Sequence, residues 1–216
     1  NLAWCHPVLY QRLMAEKKRR PTLQLVVVDP RRTSTTEGAD LHLALAGGTD
    51  AFLFNGLLAW LDDCGHTDHD FVSLHTSGAA EALQTARWHA PSPEVVAAHC
   101  DLQVADIERF YRLFAASPRV VTLFSQGVNQ SNSGTDKGNA IINCHLLTGR
   151  IGRSGSGPFS ITGQPNAMGG REVGGLSNQL AAHMDLANPV HQGLVREFWQ
   201  APRLATRSGL KAVDLF

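Results

Sequence analysis

The chain has 216 residues, 43% of them apolar and 18% charged, with 19 Lys and Arg balancing 19 Asp and Glu. That length and hydrophobicity suit one large domain or two small ones with a buried core, and exclude native disorder. The zero balance and the lack of any apolar run near the ~20 residues of a membrane span give no support to nucleic acid or a membrane as partner.

Residues 7–18 read as a helix with Pro7 in its first turn, and Lys17, Lys18, Arg19 and Arg20 as its solvated cationic end. The β-branched run at residues 23–28 predicts a buried parallel strand, stopped at Asp29-Pro30-Arg31-Arg32-Thr33. Residues 40–46 alternate and predict a second short strand. Gly47-Gly48-Thr49-Asp50 then launches an apolar helix over 50–62, with Thr49 or Asp50 as its cap. His66, His69 and His75 lack a metal-ligand pattern and read as solvated loop, so no metal site is expected within this chain. Helices are expected to begin at Ser77 and Ser92. A third, over 104–116, sets Ile107, Phe110, Tyr111 and Phe114 at core spacing. Residues 119–124 predict another buried strand. A polar turn bearing Gln126 and Gln130 follows, then a helix over 136–148 that contains His145 as a packing residue.

Residues 149–175 carry nine of the 20 glycines, interspersed with Phe159, Gln164, Asn166, Arg171 and Glu172. Such variety suits a ligand-embracing loop better than a tether. Helix is expected again from Leu176. Cys5, Cys64, Cys100 and Cys144 form no CxxC pair and read as free thiols of a reducing compartment. The chain opens on Asn1 without Met, which we read as a piece of a longer protein.

Strands feeding helices through polar turns predict an α/β fold: parallel-sheet, Rossmann-like lobes with flanking helices and a long Gly-rich loop. In such sheets ligands bind beyond the carboxyl ends of the strands. Backbone N–H groups at Asp29 to Thr33 and at Ser125 to Gln130 can face an anion, with Arg31 and Arg32 adding charge. No GxGxxG or GxxxxGK[ST] follows a strand, which weighs against an ordinary dinucleotide dehydrogenase or a P-loop ATPase. Each candidate also has a structural reading. Asp29 and Asp50 can cap helices, Gln126 and Gln130 can satisfy loop backbone, and Arg171 can pair with Glu172.

The segments at residues 125–131, 134–137 and 139–149 (NAIINCHLLTG), and above all GPFSITGQPNAMGGREVGG at 157–175, resemble the molybdopterin-guanine-dinucleotide oxidoreductases of the DMSO reductase superfamily. The last stretch is most similar to the bacterial nitrate reductases of the assimilatory, cytoplasmic branch. The resemblance reaches back to Asn1-Leu2-Ala3-Trp4-Cys5-His6-Pro7, Asp29 to Thr33 and Gly48 to Asp50, and so covers residues 1 to about 190.

The resemblance implies two-electron oxo transfer at a molybdenum bis(molybdopterin guanine dinucleotide), fed by a 4Fe-4S cluster. The cluster cysteines and the cysteine ligand to molybdenum lie in the parent protein, upstream of these residues. It implies that the segment from Asn1 to Cys5, together with Asp29, Pro30, Arg31, Arg32, Thr33, Gly48, Thr49 and Asp50, lies at one dinucleotide, with Asp50 at the guanine or ribose edge. Gln126 and Gln130 would lie near the pterin; some respiratory relatives carry Met in place of Gln126. Gln164 and Arg171 match positions lining the substrate pocket, where a guanidinium suits planar nitrate and an amide adds a donor. The implied lobes are residues 1–117, binding one dinucleotide, and 118–216, carrying the glycine-rich active-site loop.

The implied partners are nitrate, the remainder of a catalytic subunit and an electron-donor protein or domain, in the cytoplasm. A glycine-rich stretch poorly ordered without its cofactor is expected. Formate dehydrogenase is the rival within the superfamily, although Arg171-Glu172-Val173-Gly174 favours nitrate. A non-catalytic nucleotide-binding α/β module, or a piece that folds and binds nothing, is the rival outside it.

Overall fold

The computed structural model describes all residues except 162–166, 176–177, 211–213 and 215–216. It divides into two compact units, Asn1–Gly163 and Gln164–Phe216. The lobe boundary expected near residue 117 lies inside the first unit.

The first unit opens with a single helical turn, α1 (Leu2–Cys5), and α2 (Pro7–Arg19). Strand β1 (Val26–Val28) and strand β2 (Leu41–Leu43) pair in parallel, Val26 opposite Leu41 and Val28 opposite Leu43. The connection between them, residues 29–40, is irregular apart from a 3-10 turn at Thr36–Gly38. Helix α3 (Asp50–Asp63) follows β2 and buries Leu53, Phe54, Leu57, Leu58 and Leu61. It is the hub of the unit, packed by α5 (Ala79–His89), α6 (Pro93–Cys100), α7 (Val104–Ala116) and α9 (Gly134–Leu147).

Small residues and buried hydroxyls fit these helices together. A Cβ on Gly56 would come within 2.5 Å of both Tyr111 Oη and Val96 Cγ2, so the backbones approach more closely than a side chain permits. The expected stripe of Ile107, Phe110, Tyr111 and Phe114 is buried. Tyr111 donates to the Leu53 carbonyl at 2.9 Å, which satisfies its hydroxyl inside the core. Burial pushes the Tyr111 phenol well above its ordinary pKa.

Strand β3 (Val121–Phe124) and strand β4 (Gly157–Ser160) form a second parallel pair, joined through the short helix α8 (Gln126–Asn129) and α9. The fold is therefore mixed α/β with small parallel sheets, as expected. Several local expectations are corrected. β3 is not buried on both faces; Val121 and Leu123 are 51% and 40% exposed. The histidine segment is not all loop. Asp68 caps α4 (His69–His75), its carboxylate accepting from Phe71 N, and His66 stacks on Trp60. Lys17 is not a solvated end: it pairs with Asp40 and donates to the Leu23 carbonyl, tying α2 to the start of β2.

The glycine-rich stretch is not loop throughout either. β4 forms within it because β3 supplies backbone partners that its own weak propensity does not call for. The second unit contains α10 (Ala167–Glu172) and α11 (Pro189–Trp199), with a small core of Leu180, Leu186 and Val195. The helix expected from Leu176 begins at residues outside the described ones, and from 178 to 188 the described chain is not α-helical. A 3-10 turn at Ala181–His183 and an antiparallel bridge between Gln179 and Asp185 precede α11, which Asn188 caps.

Candidate cofactor-binding site

Parallel strands end on the same side, so each pair brings two polar turns together. Beyond β1 lies Asp29 to Thr33; beyond β2 lies Gly47 to Asp50. The Asp29 carboxylate accepts from Arg31 N at 2.9 Å, and the Asp29 carbonyl meets His42 Nε2 at 2.8 Å. The first bond closes the turn and the second ties it to β2. Asp29 therefore shapes the turn with its own carboxylate. Gly48 adopts φ 95°, a left-handed conformation that favours glycine and lets the chain double back from β2 into α3.

The amino terminus packs onto this turn. Thr35 is buried; its hydroxyl donates to Asn1 Oδ1 at 2.9 Å and accepts from Ala3 N at 3.0 Å. Trp4 Nε1 donates to Ser34 Oγ at 3.3 Å, and Tyr10 Oη to the Ser34 carbonyl at 3.1 Å. The result is a groove of about 460 Å³ lined by Asn1, Trp4, Arg31, Arg32, Thr33, Ser34 and Glu37. Of the residues expected at one dinucleotide, Asn1, Arg31, Arg32 and Thr33 are brought together here. Cys5, Asp29, Pro30, Gly48, Thr49 and Asp50 do not line this groove. Trp4 lines it as a member of the expected Asn1 to Cys5 segment; Ser34 and Glu37 line it without having been anticipated. Nothing in spacing pointed to Ser34 or Glu37.

The groove's chemistry fits an anionic nucleotide. Arg31 and Arg32 are exposed, and among the described residues no carboxylate lies within ion-pair distance of either guanidinium. Thr33 Oγ1 is buried without a hydrogen-bond partner among the described residues, an arrangement that costs free energy until something pairs it. Paired guanidiniums recognise pyrophosphate in a fixed fork geometry.

Asp50 has a different environment. Its carboxylate accepts from Lys137 Nζ at 2.8 Å, and the Lys137 side chain is only 3% exposed. Asp50 opens α3 and Lys137 lies in the second turn of α9, so the pair joins the helices that follow β2 and β3. A carboxylate in the first turn of a helix is further stabilised by the helix dipole. Thr49 precedes it, with its hydroxyl on the Ala46 carbonyl at 2.7 Å. Neither Thr49 nor Asp50 makes a side-chain capping bond to α3.

Beyond β3 the polar groups satisfy one another. Ser125 Oγ donates to Gln126 Oε1, and Gln130 closes the α8 turn through its N–H to the Gln126 carbonyl at 2.8 Å. Asn129 Nδ2 reaches Ser160 Oγ at 3.1 Å and so links the ends of β3 and β4. Gln126 is half-buried and Gln130 exposed. A Cβ on Gly134 would lie 2.4 Å from the Asn129 carbonyl oxygen, which explains a glycine where α9 starts against this turn. Behind it, His145 is buried and bonds Thr122 Oγ1 through Nε2 at 2.8 Å. Burial, and then the nearby Arg150 cation, push its pKa down to about 4. It is the packing residue expected.

In the second unit Arg171 is exposed in the last turn of α10, and its carbonyl accepts from Gln179 Nε2 at 2.9 Å. The alternative pairing with Glu172 does not form. Glu172 instead accepts from His183 Nε2 at 2.9 Å, and among the described residues the Arg171 guanidinium has no carboxylate partner. Gln164 lies outside the described residues. All four cysteines are free, Cys100 and Cys144 buried, and no cluster of metal-ligating side chains occurs among the described residues.

The molybdopterin oxidoreductase family model matches residues 1–213. The chain belongs to that family. It is 52% identical over 217 aligned residues to a nitrate reductase of Klebsiella oxytoca, covering all of this chain and 24% of that protein. It is 47% identical over 216 residues to a nitrate reductase of Shewanella frigidimarina, again covering all of this chain and 23% of the relative. The chain thus spans about a quarter of the curated relatives it matches. Among solved structures, acetylene hydratase from Pelobacter acetylenicus superimposes with a TM-score of 0.62 at 24% identity, over 68% of this chain and 20% of that one. That likeness supports the fold. Family membership implies a molybdenum–pterin cofactor, and the groove described above suits its phosphate-bearing part.

Proposed function

We propose that this chain is a segment of the catalytic subunit of a molybdenum-dependent nitrate reductase, reducing nitrate to nitrite and water with two electrons and two protons. The observation that carries this reading is 43–52% identity over the whole chain to three proteins named nitrate reductase. The glycine-rich signature at 157–175, which contains Arg171, supports it.

The cofactor is molybdenum bis(molybdopterin guanine dinucleotide), which supplies two-electron oxo transfer when bound. Arg31 and Arg32 hold a pyrophosphate in the groove, Thr33 pairs its orphaned hydroxyl with the ligand, and Asn1 closes one wall. Asp29 keeps the turn in shape. Pro30, Cys5, Gly48 and Thr49 support neighbouring backbone, and Gln126 and Gln130 border the pterin. Lys137 fixes Asp50, so that carboxylate keeps the second turn in place. Arg171 receives nitrate: its guanidinium is planar, charged at every working pH and unpaired by carboxylate among the described residues, and it offsets charge developing on the departing oxyanion. Gln164 donates a hydrogen bond to the same anion.

The remaining parts of this reading extend beyond the chain. The 4Fe-4S cluster, its cysteine ligands and the electron donor belong to the rest of the parent protein and its partners. The two proposed lobes, 1–117 and 118–216, are portions of larger lobes of that subunit. We assign the parent to the cytoplasm because the signature is most similar to the assimilatory branch.

The test is nitrate turnover by the full-length enzyme with reduced viologen, beside formate oxidation. The expected result is nitrate reduction without formate oxidation, and a loss of roughly 100-fold or more in kcat/KM in Arg171→Ala. Formate oxidation without nitrate reduction contradicts the proposed reaction. Nitrate turnover unaffected by Arg171→Ala removes that residue from the site.

A further inference from the structure

We infer that His183 is a positioning residue for the anion site at Arg171: it engages the neighbouring Glu172 carboxylate and so keeps that carboxylate off the guanidinium that receives nitrate. The inference rests on the nitrate reading above and adds the residue that holds its anion site open.

Arg171 and Glu172 are adjacent at the end of α10. A carboxylate is a planar oxyanion that takes a guanidinium in a two-bond fork, so the nearest carboxylate is a direct rival of nitrate. Both side chains are exposed, and the helix stops at Glu172, so no further helical turn holds them apart. Glu172 is nevertheless engaged elsewhere: its Oε1 lies 2.9 Å from His183 Nε2. An ionised carboxylate only accepts hydrogen bonds, so Nε2 carries the proton, and the contact holds for a neutral and a charged ring alike.

An exposed contact of this kind is weak by itself. The backbone makes it persist. Ala182 (φ 53°, ψ 36°) and His183 (φ 57°) are successive left-handed residues, and neither is glycine. That conformation crowds a Cβ against the main chain and survives only where the surroundings fix it. Here Leu180 N donates to the Met184 carbonyl at 2.8 Å and Met184 N to the Ala181 carbonyl at 3.1 Å, which closes the turn, and Leu180 is buried in the core of the unit. The turn also presses on the chain that leaves α10. At Gly174, with φ 75°, a Cβ would lie 2.7 Å from Ala181 N. Gln179 Nε2 donates to the Arg171 carbonyl at 2.9 Å. The strained turn is thus fastened on both sides of Glu172, at Arg171 and at Gly174, with the imidazole on the carboxylate between them. The carboxylate of this turn itself, Asp185, is taken by Ala187 N at 2.8 Å.

The test uses the full-length, cofactor-loaded enzyme with reduced viologen. A second readout is the rate at which butanedione, a dicarbonyl that condenses with free guanidinium groups, modifies Arg171, located by peptide mass. In His183→Ala the released Glu172 occupies the guanidinium for most of the time. KM for nitrate is then expected to rise by the reciprocal of the free fraction, about 3- to 10-fold, with kcat unchanged, and modification of Arg171 to slow by a similar factor. Adding Glu172→Gln returns both to the parent values, which it cannot do for a variant that merely misfolds. His183→Gln keeps a donor and stays near the parent. An unchanged KM or an unchanged modification rate in His183→Ala, or a defect that Glu172→Gln does not relieve, overturns the inference. Arg171→Ala is measured in parallel. If it keeps the parent kinetics, the nitrate role of Arg171 fails and the inference falls with it; if it loses turnover while His183→Ala behaves as the parent, only the role of His183 fails.

Discussion

The two parallel strand pairs share a topology and differ in how their polar groups are spent. Beyond β1 and β2, the side chains of Arg31, Arg32 and Glu37 have no partner among the described residues, and Thr33 buries a hydroxyl that none of them pairs. Beyond β3 and β4, Ser125, Gln126, Asn129 and Ser160 bond one another. A strand end that satisfies itself is stable alone. One that leaves cations and a hydroxyl unpaired is less stable and ready for a ligand. Topology places both turns where ligands bind in open α/β sheets; the uncommitted groups are why we propose the β1 side for the dinucleotide.

The largest expected effect comes from uncoupling the two pairs. Asp50→Asn leaves the Lys137 ammonium buried without a counter-charge and should cost about 3 kcal/mol, within the range for breaking a buried ion pair. Denaturant unfolding of the full-length protein measures it. Adding Lys137→Met should restore most of the loss, because both charges are then gone. A double variant as unstable as the single one would contradict the coupling.

An effect of up to the same size, but confined to acid pH, follows from His145, behind the self-satisfied pair. Its folded pKa of about 4 lies below the ordinary value of about 6.5, so folding favours the neutral ring. Its contribution to stability is present in full above about pH 6.5 and is lost as pH falls toward 4, up to about 3 kcal/mol. His145→Gln should flatten stability between those values. An unchanged slope would place the proton uptake elsewhere. Least disruptive is Asn129→Ala, which breaks one exposed side-chain bond between the ends of β3 and β4 and should cost about 0.5 kcal/mol in the same unfolding experiment. A loss several times larger would mean that this end depends on more than its own bonds.

Much of this arrangement was legible in the residues. β-branched runs located β1 and β3, apolar periodicity located α3 and α7, and the polar turns after strands located the candidate ligand segments. β4 was not legible, because Gly157-Pro158 reads as loop and pairing with β3 overrides that propensity. The Asp50–Lys137 pair was not legible either, since the partners are far apart in sequence and meet only through helix packing. Lys17 looked like one of four solvated cations until Asp40, across the unit, engaged it. Ser34 and Glu37 became visible as groove residues only when α1 and the 3-10 turn after β1 closed around one groove. Side chains whose role depends on a partner distant in sequence leave no local signal.

The most direct measurement of the account is GMP released by acid from the full-length, cofactor-loaded enzyme, compared with Arg31→Ala/Arg32→Ala. Both guanidiniums are exposed and unpaired among the described residues, so stability should change by no more than about 0.5 kcal/mol. The account predicts a clear fall in GMP per chain, while the cofactor-free double variant melts at the same temperature as the cofactor-free parent. Undiminished GMP in a correctly folded double variant would contradict it, and would place the dinucleotide outside the groove beyond β1.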